Sequence, residues 1–359
     1  MGTIACCREM TSFKMENSHI YQINRYVKCS QKDFQILPES QRDTVSTISS
    51  TNNNTNTITK PINHKKKYLK NKNGEFIILS YDVEEEYFLE LKVSFPIIRT
   101  IEGMSELNMG NKLFLCGISP KQKNEGSFLL QVDLDIKGFD YGEKIKADIL
   151  INSHYPHIYP SLIQDNNEKI LCIGGKGQTL CELYNLSINK WFSLPQLPEE
   201  RYKCTLCVDC KGDFVYLFGG INTEINNKDN DNEDVVKILR MNLLKQLIWE
   251  NLVVKNYQKN ATINRTSSGA FTFKNFEDYI FIVGGEDSNE NPLDNAIRFS
   301  IKNLTFESTG VKLKNSAKFI NQNGINLNEQ VHCLIDSLNN IHLIERQDCL
   351  PIDYHPDEI

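Results

Sequence analysis

The sequence predicts an all-β fold, a circular array of short four-stranded units, from three observations. An apolar run closed by paired glycines occurs three times, at Ile170–Gly175, Phe214–Gly220 and Tyr279–Gly285. Each copy leads into a second strand and a hairpin that carries an aromatic or apolar pair. The anchors of those hairpins, Phe34, Phe88, Phe139, Trp191, Trp249 and Phe306, recur every 51 to 58 residues. A period near 50 residues with four short strands per unit marks a propeller array.

The clearest unit runs from Ile170 to Leu194. Ile170-Leu171-Cys172-Ile173 is a buried strand that stops at Gly174-Gly175. Leu180 to Leu186 is the next strand, residues 187–190 turn the chain, and Trp191 to Leu194 is the last. Pro195 and Pro198 close the unit. Gly219-Gly220 and Gly284-Gly285 end the equivalent strands of two further copies, and Lys112 to Gly117 is a copy with one glycine. Tyr184 precedes Trp191 by seven residues. Tyr81 and Phe88 keep that spacing, as do Phe299 and Phe306. Val132 and Phe139 keep it without the full set of side chains. Met241 with Trp249, and Tyr26 with Phe34, carry one inserted residue.

These glycine pairs and spaced aromatics resemble the kelch repeat over residues 18–346. The resemblance implies a six-bladed kelch-type β-propeller. A single four-stranded blade cannot hide both faces, so blades stack round an axis. The glycines are needed where a side chain would strike neighbouring backbone, and the aromatics fill the space between blades. The units fall at 66–92, 99–142, 154–195, 202–253 and 266–310. The first unit, 19–37, lacks inner strands, and the last, Val331–Ile335 with Ile341–Glu345, lacks outer ones. The expectation is one closing blade shared between the N- and C-terminal strands, which would leave no bare sheet edge.

Outside the propeller, residues 1–17 read as a tether and 347–359 as a tail. Residues 39–64 are Ser/Thr/Asn-rich and read as a disordered polar insert. Lys65-Lys66-Lys67 follows, read either as a contact for anionic lipid or as a solvated strand edge. The chain opens Met1-Gly2-Thr3-Ile4-Ala5-Cys6-Cys7. Gly2 fits N-myristoylation, although Cys6 stands where Ser or Thr is usual. Cys6 and Cys7 fit palmitoylation, the second chain that stable anchoring needs. There is no signal-peptide pattern and no run of eighteen apolar residues. Eleven cysteines are then expected as reduced thiols in a cytoplasmic protein, held at the cytosolic face of a plasma or ciliary membrane if Gly2, Cys6 and Cys7 are acylated. A net charge of −6 argues against nucleic acid as a partner.

Three stretches invite a chemical reading, and each has a plainer one. Cys204, Cys207 and Cys210 have the spacing of a metal or redox motif, but on a strand Cys207 faces away from the other two. Asp229 to Asp234 begins like a calcium loop, yet Asp234 stands at the glycine position and Arg240 at the final glutamate. His154 and His157 lie three apart with no carboxylate partner visible by spacing. No phosphate loop, nucleophile elbow or HExxH pattern occurs. The expectation is therefore a non-enzymatic interaction scaffold, with no cofactor and no metal, whose rim loops hold a protein partner. The resemblance adds cytoskeletal or ciliary partners as candidates. The alternatives are a rim-loop enzyme of epimerase or oxidase type and a substrate receptor serving a separate ubiquitin-ligase chain.

Overall fold

The computed structural model describes residues 25–29, 75–82, 87–94, 102–109, 112–119, 125–133, 144–165, 169–222, 238–245, 247–254, 265–274, 276–319, 323–327, 329–337 and 340–349. The strands form six sheets. The first holds β1 (Arg25–Cys29), β2 (Glu75–Asp82) and β3 (Tyr87–Ser94). The second holds β4 (Glu102–Met109), β5 (Lys112–Ile118) and β6 (Phe128–Asp133). The short strands β7 (Lys144–Lys146) and β8 (Asp148–Ile149) then divide: β7 joins β3 in parallel and β8 joins β6. Residues 144–149 thus strap the first sheet to the second, with Ala147 buried at the crossing.

The third sheet is β9 (Ser161–Gln164), β10 (Lys169–Ile173), β11 (Cys181–Asn185) and β12 (Lys190–Leu194). The fourth is β13 (Thr205–Val208), β14 (Phe214–Phe218), β15 (Ile238–Asn242) and β16 (Trp249–Leu252). The fifth is β17 (Gly269–Phe271), β18 (Tyr279–Val283), β19 (Asn295–Ser300) and β20 (Thr305–Lys312). The sixth has three strands: β21 (Ile325–Asn326), β22 (Val331–Ile335) and β23 (Ile341–Glu345).

Sheets two to five are antiparallel meanders, and they stack as propeller blades. The first strands β1, β4, β9, β13 and β17 lie side by side in that order. Apolar clusters fill the four gaps from the second sheet to the sixth. On β10, Ile170 and Cys172 face the second sheet while Leu171 and Ile173 face the fourth. On β14, Val215 and Leu217 face the third sheet while Tyr216 and Phe218 face the fifth. A strand buried on both faces needs a continuous apolar run, which is why these segments do not alternate with polar residues. Hydroxyls also link the inner strands. Ser105 donates to the Pro160 carbonyl at 2.5 Å, Ser161 to that of Cys204 at 2.8 Å and Thr205 to that of Ser268 at 3.4 Å.

Three expectations need correction. Four blades are complete among the described residues, where six were expected. The shared closing blade does not form from β1: that strand pairs with β2 in five-residue register, not with the C-terminal hairpin. It thereby adds a strand to the 66–92 unit and satisfies an edge of β2 that would otherwise be bare. The fourth strand of the second sheet is β8, beyond the 99–142 limit read for that unit. There the frame has Val132 where the third and fifth sheets have Tyr184 and Phe299. Phe34 and Phe139 lie outside the described residues, as do Gly2, Cys6, Cys7, the 39–64 insert, Lys65 to Lys67 and residues 229–234.

The last sheet differs in its inner side. Asp336 caps the turn between β22 and β23 through the Asn340 amide, as Asp165 and Asp209 cap the first turns of the third and fourth sheets. β22 is therefore the inner-strand equivalent, and β21, paired to its other edge, lies on the axial side. Just before it, the Asn323 side chain donates to the Leu162 carbonyl on β9 at 3.0 Å.

Candidate functional site

A meander places its first and third turns on one rim and its second turn, with the link to the next sheet, on the other. The glycine pairs follow β10, β14 and β18, so all three lie on this second rim. Gly174, Gly219 and Gly284 have φ of 62°, 56° and 59°. A Cβ there would sit 2.5, 1.9 and 2.6 Å from the carbonyl oxygens of Arg201, Arg265 and Ala317. The amides of Gly175, Gly220 and Gly285 donate to those same three oxygens, at 3.0, 3.3 and 2.7 Å. Each pair is thus the joint that locks one sheet to the lead-in of the next.

A basic side chain holds each joint, and the sequence reading missed it. Arg201 Nη1 donates to the Gly219 carbonyl at 3.1 Å and Arg265 Nη1 to that of Gly284 at 3.0 Å. His157 Nδ1 stands 2.7 Å from the Gly174 carbonyl. Two residues on, Tyr159, Lys203 and Ser267 share a left-handed backbone, with φ of 54°, 53° and 54°. Four residues on, the inner strand starts. The available signal was a basic residue 17 to 19 positions ahead of the first glycine. It was hidden because one copy is a histidine. Burial pulls the Arg265 guanidinium down to about 10.

The third sheet adds a carboxylate. Glu182, fully buried on β11, accepts from the His154 amide at 3.1 Å and the Tyr155 amide at 3.2 Å. Its two oxygens also meet His154 Nδ1 at 2.6 Å and His157 Nε2 at 3.0 Å. Burial alone would raise this carboxyl, but the hydrogen bonds from His157 and the His154 amide outweigh it and hold it below its usual value. So the histidine pair does have a carboxylate partner, 25 residues downstream of His157 and beyond the reach of spacing arguments. His154 is half exposed and His157 is fully buried.

The cysteine triplet does not converge. Cys204 packs in the gap between the third and fourth sheets and Cys207 in the gap between the fourth and fifth. Cys210 departs from the alternation expected of it. It sits on the turn after β13, and its thiol meets the Phe273 carbonyl of the fifth sheet at 3.1 Å. Burial raises Cys204 to about 12 and pushes Cys207 up as well. Among the described residues no group of three His, Cys, Asp or Glu is arranged to hold a metal ion, and no helix is long and apolar enough to cross a membrane.

The aromatic anchors do scaffold work. Trp191 stands in register opposite Tyr184 on β11, with ring centroids 5.1 Å apart, and its indole N–H donates to the Ile151 carbonyl at 2.8 Å. Trp249 stands opposite Met241 and donates to the Pro195 carbonyl at 3.1 Å. Phe306 stands opposite Phe299, and Phe88 opposite Tyr81 in backbone register.

The other rim carries an apolar display. Ile188, in the turn between β11 and β12, is 58% exposed; Leu244 and Ile248, between β15 and β16, are 64% and 47% exposed. Leu247 in the second of these turns and Phe192 on β12 are also exposed. The exposed lysines Lys190 and Lys245 lie in the same two stretches. In the equivalent turn of the fifth sheet the exposed residues are Lys302 and Asn303. No protein-family model and no curated protein matches this sequence, so the relationship visible in it is that of its sheets to one another.

Proposed function

We propose that this chain is a non-enzymatic interaction scaffold of kelch type. On this reading the first and sixth sheets are the two irregular blades of a six-position ring. The observation that supports a binding role is the exposed Ile188, Leu244, Leu247 and Ile248 on adjacent turns of one rim. Turn tips are normally polar, and grouped exposed aliphatics mark interaction sites. The partner is a protein that offers an apolar anchor between the lysines. Site-specific photo-crosslinking tests this. A probe at position 244 should yield one defined adduct that Ile248→Ser abolishes, while a probe at Gln196 on the glycine rim should not. No adduct at 244, or turnover of a small molecule by the purified chain, would reject the reading.

Attachment through Gly2, Cys6 and Cys7 is the second part of the proposal. It rests on the first seven residues alone. Intact mass of the N-terminal peptide from native cells should show the added acyl chains, and Gly2→Ala should move the protein to the soluble fraction. An unmodified N-terminus ends this part without touching the first.

A further inference from the structure

The three glycine joints have the same backbone but not the same cation. Arg201 and Arg265 are permanently charged at any ordinary pH. His157 stands at the matching place. Its Nδ1 lies 2.7 Å from the Gly174 carbonyl, with the Gln178 amide nitrogen farther off at 3.3 Å, and its Nε2 lies 3.0 Å from a Glu182 oxygen. A carbonyl oxygen has no hydrogen to give. Glu182 already receives two backbone amides and the His154 ring, contacts that an ionised carboxylate takes best. A neutral imidazole would turn a lone pair toward one of these oxygens. Both contacts are hydrogen bonds only if His157 carries two protons.

Glu182 supports this. Across the matched strands its position is held by Leu239 on β15 and Ile297 on β19, both buried and apolar. Among these three matched positions, the buried carboxylate stands in the sheet whose joint is held by histidine. It is the counter-ion that a buried imidazolium needs.

We propose that His157 is a proton-dependent latch: as imidazolium it locks the third joint as the arginines lock the fourth and fifth, and loss of one proton frees residues 151–160 and the turn 174–180. The groups facing the latch are known. His154 and Tyr155 lie on its own loop. Glu182 and Cys181 are on β11, Cys172 on β10 and Gln178 on the glycine turn. Ser127 faces it from the second sheet, its hydroxyl oxygen accepting the His157 amide at 2.6 Å. Beyond Cys172 stands Cys116. Burial holds Cys172 and Cys181 well above the usual thiol range, so neither supplies a competing charge. The consequence is a rim loop, bearing the exposed His154 and Tyr155, whose order depends on pH while the neighbouring joints do not.

Amide exchange in the intact wild-type chain tests this without a variant. Once intrinsic base catalysis is corrected for, protection at Gly175 and Gln178 should fall by about tenfold or more as pH rises through the loss of the latch proton. Gly220 and Gly285 are internal controls and should not change. Nitrogen spectra of the imidazoles should show both His157 ring nitrogens protonated in the locked state. His154→Asn should leave the dependence in place, and Glu182→Gln should leave His157 with one proton where the wild type has two. A single-proton His157 tautomer at low pH would overturn the proposal. So would equal pH dependence at all three joints, or a dependence that disappears with His154.

Discussion

The fifth and sixth sheets pack against each other through Phe271, Phe281, Leu334 and Ile344, yet they are built on different terms. The fifth has four strands, the Gly284-Gly285 joint, the Arg265 cation and the Phe299–Phe306 pair. The sixth has three strands, and neither glycine pair nor anchor aromatic on them. It gains its order from the axial side, where β21 adds to β22, and from the 3-10 turn Arg346–Cys349, whose Cys349 carbonyl accepts from Arg298 at 3.2 Å. The difference shows two ways to complete a sheet. The fourth and fifth sheets use repeat-encoded joints to both neighbours. The terminal sheet uses contacts particular to itself.

If the interior rests on its joints, breaking one should cost most. Gly219→Ala sets a Cβ 1.9 Å from the Arg265 carbonyl in a left-handed backbone. Backbone must move, so the loss should be about 4 kcal/mol or more. Gly310→Ala also has positive φ but meets nothing within 4 Å, and should cost only about 1–2 kcal/mol. Urea midpoints of the two variants check the contrast. Equal losses would mean that strain alone, not the joint, sets the cost.

Trp191→Ala comes next. It removes a buried indole from the gap between the second and third sheets and should cost about 3–5 kcal/mol. Trp249 is only half-buried, so Trp249→Ala should cost about 1–2 kcal/mol less. Thermal melts that reverse this order would show that the fourth sheet, not the third, carries the ring.

The sixth sheet should instead show its character in acid. His332 is buried, stacks on Phe271 with centroids 4.0 Å apart, and gives its Nδ1 hydrogen to Asn326. Burial lowers its pKa to about 3. Its folded value is below the unfolded one, so the unfolded chain binds the proton first. Stability is therefore full above about pH 6.5 and falls by up to about 1.4 kcal/mol per pH unit below it. His332→Phe keeps the stack and should flatten that limb in urea titrations at pH 4 to 7. An unchanged slope would assign the acid loss to carboxylates such as Glu182, whose lowered pKa also costs stability in acid.

How much of this was legible follows from where the constraint lies. Gly174, Gly219 and Gly284 were readable because a side-chain clash forces one residue type. Tyr184 with Trp191 and Phe299 with Phe306 were readable because a hairpin fixes their spacing. The β1–β2 pairing was not, since backbone hydrogen bonds across residues 30–74 leave no residue-specific mark. Glu182 was not, since its meaning depends on a loop contributed from the sheet's other side. β21 was invisible too: two residues on an axial edge carry no period.

The smallest expected effect probes that axial edge. Asn323→Ala removes the hydrogen bond to the Leu162 carbonyl and should cost about 1 kcal/mol. The interest lies in where the loss is felt. β21 is held to β22 by a two-residue register and has no joint of its own. If the sixth sheet completes itself only locally, amide exchange should quicken in β21 and β22 while β9 stays protected. If the axial segment instead ties opposite sides of the ring together, the amides of β9 should quicken with it, because Leu162 lies on the innermost strand of the third sheet. The second result would make Asn323 a closure element of the whole propeller and would abolish the distinction between repeat-encoded and private contacts.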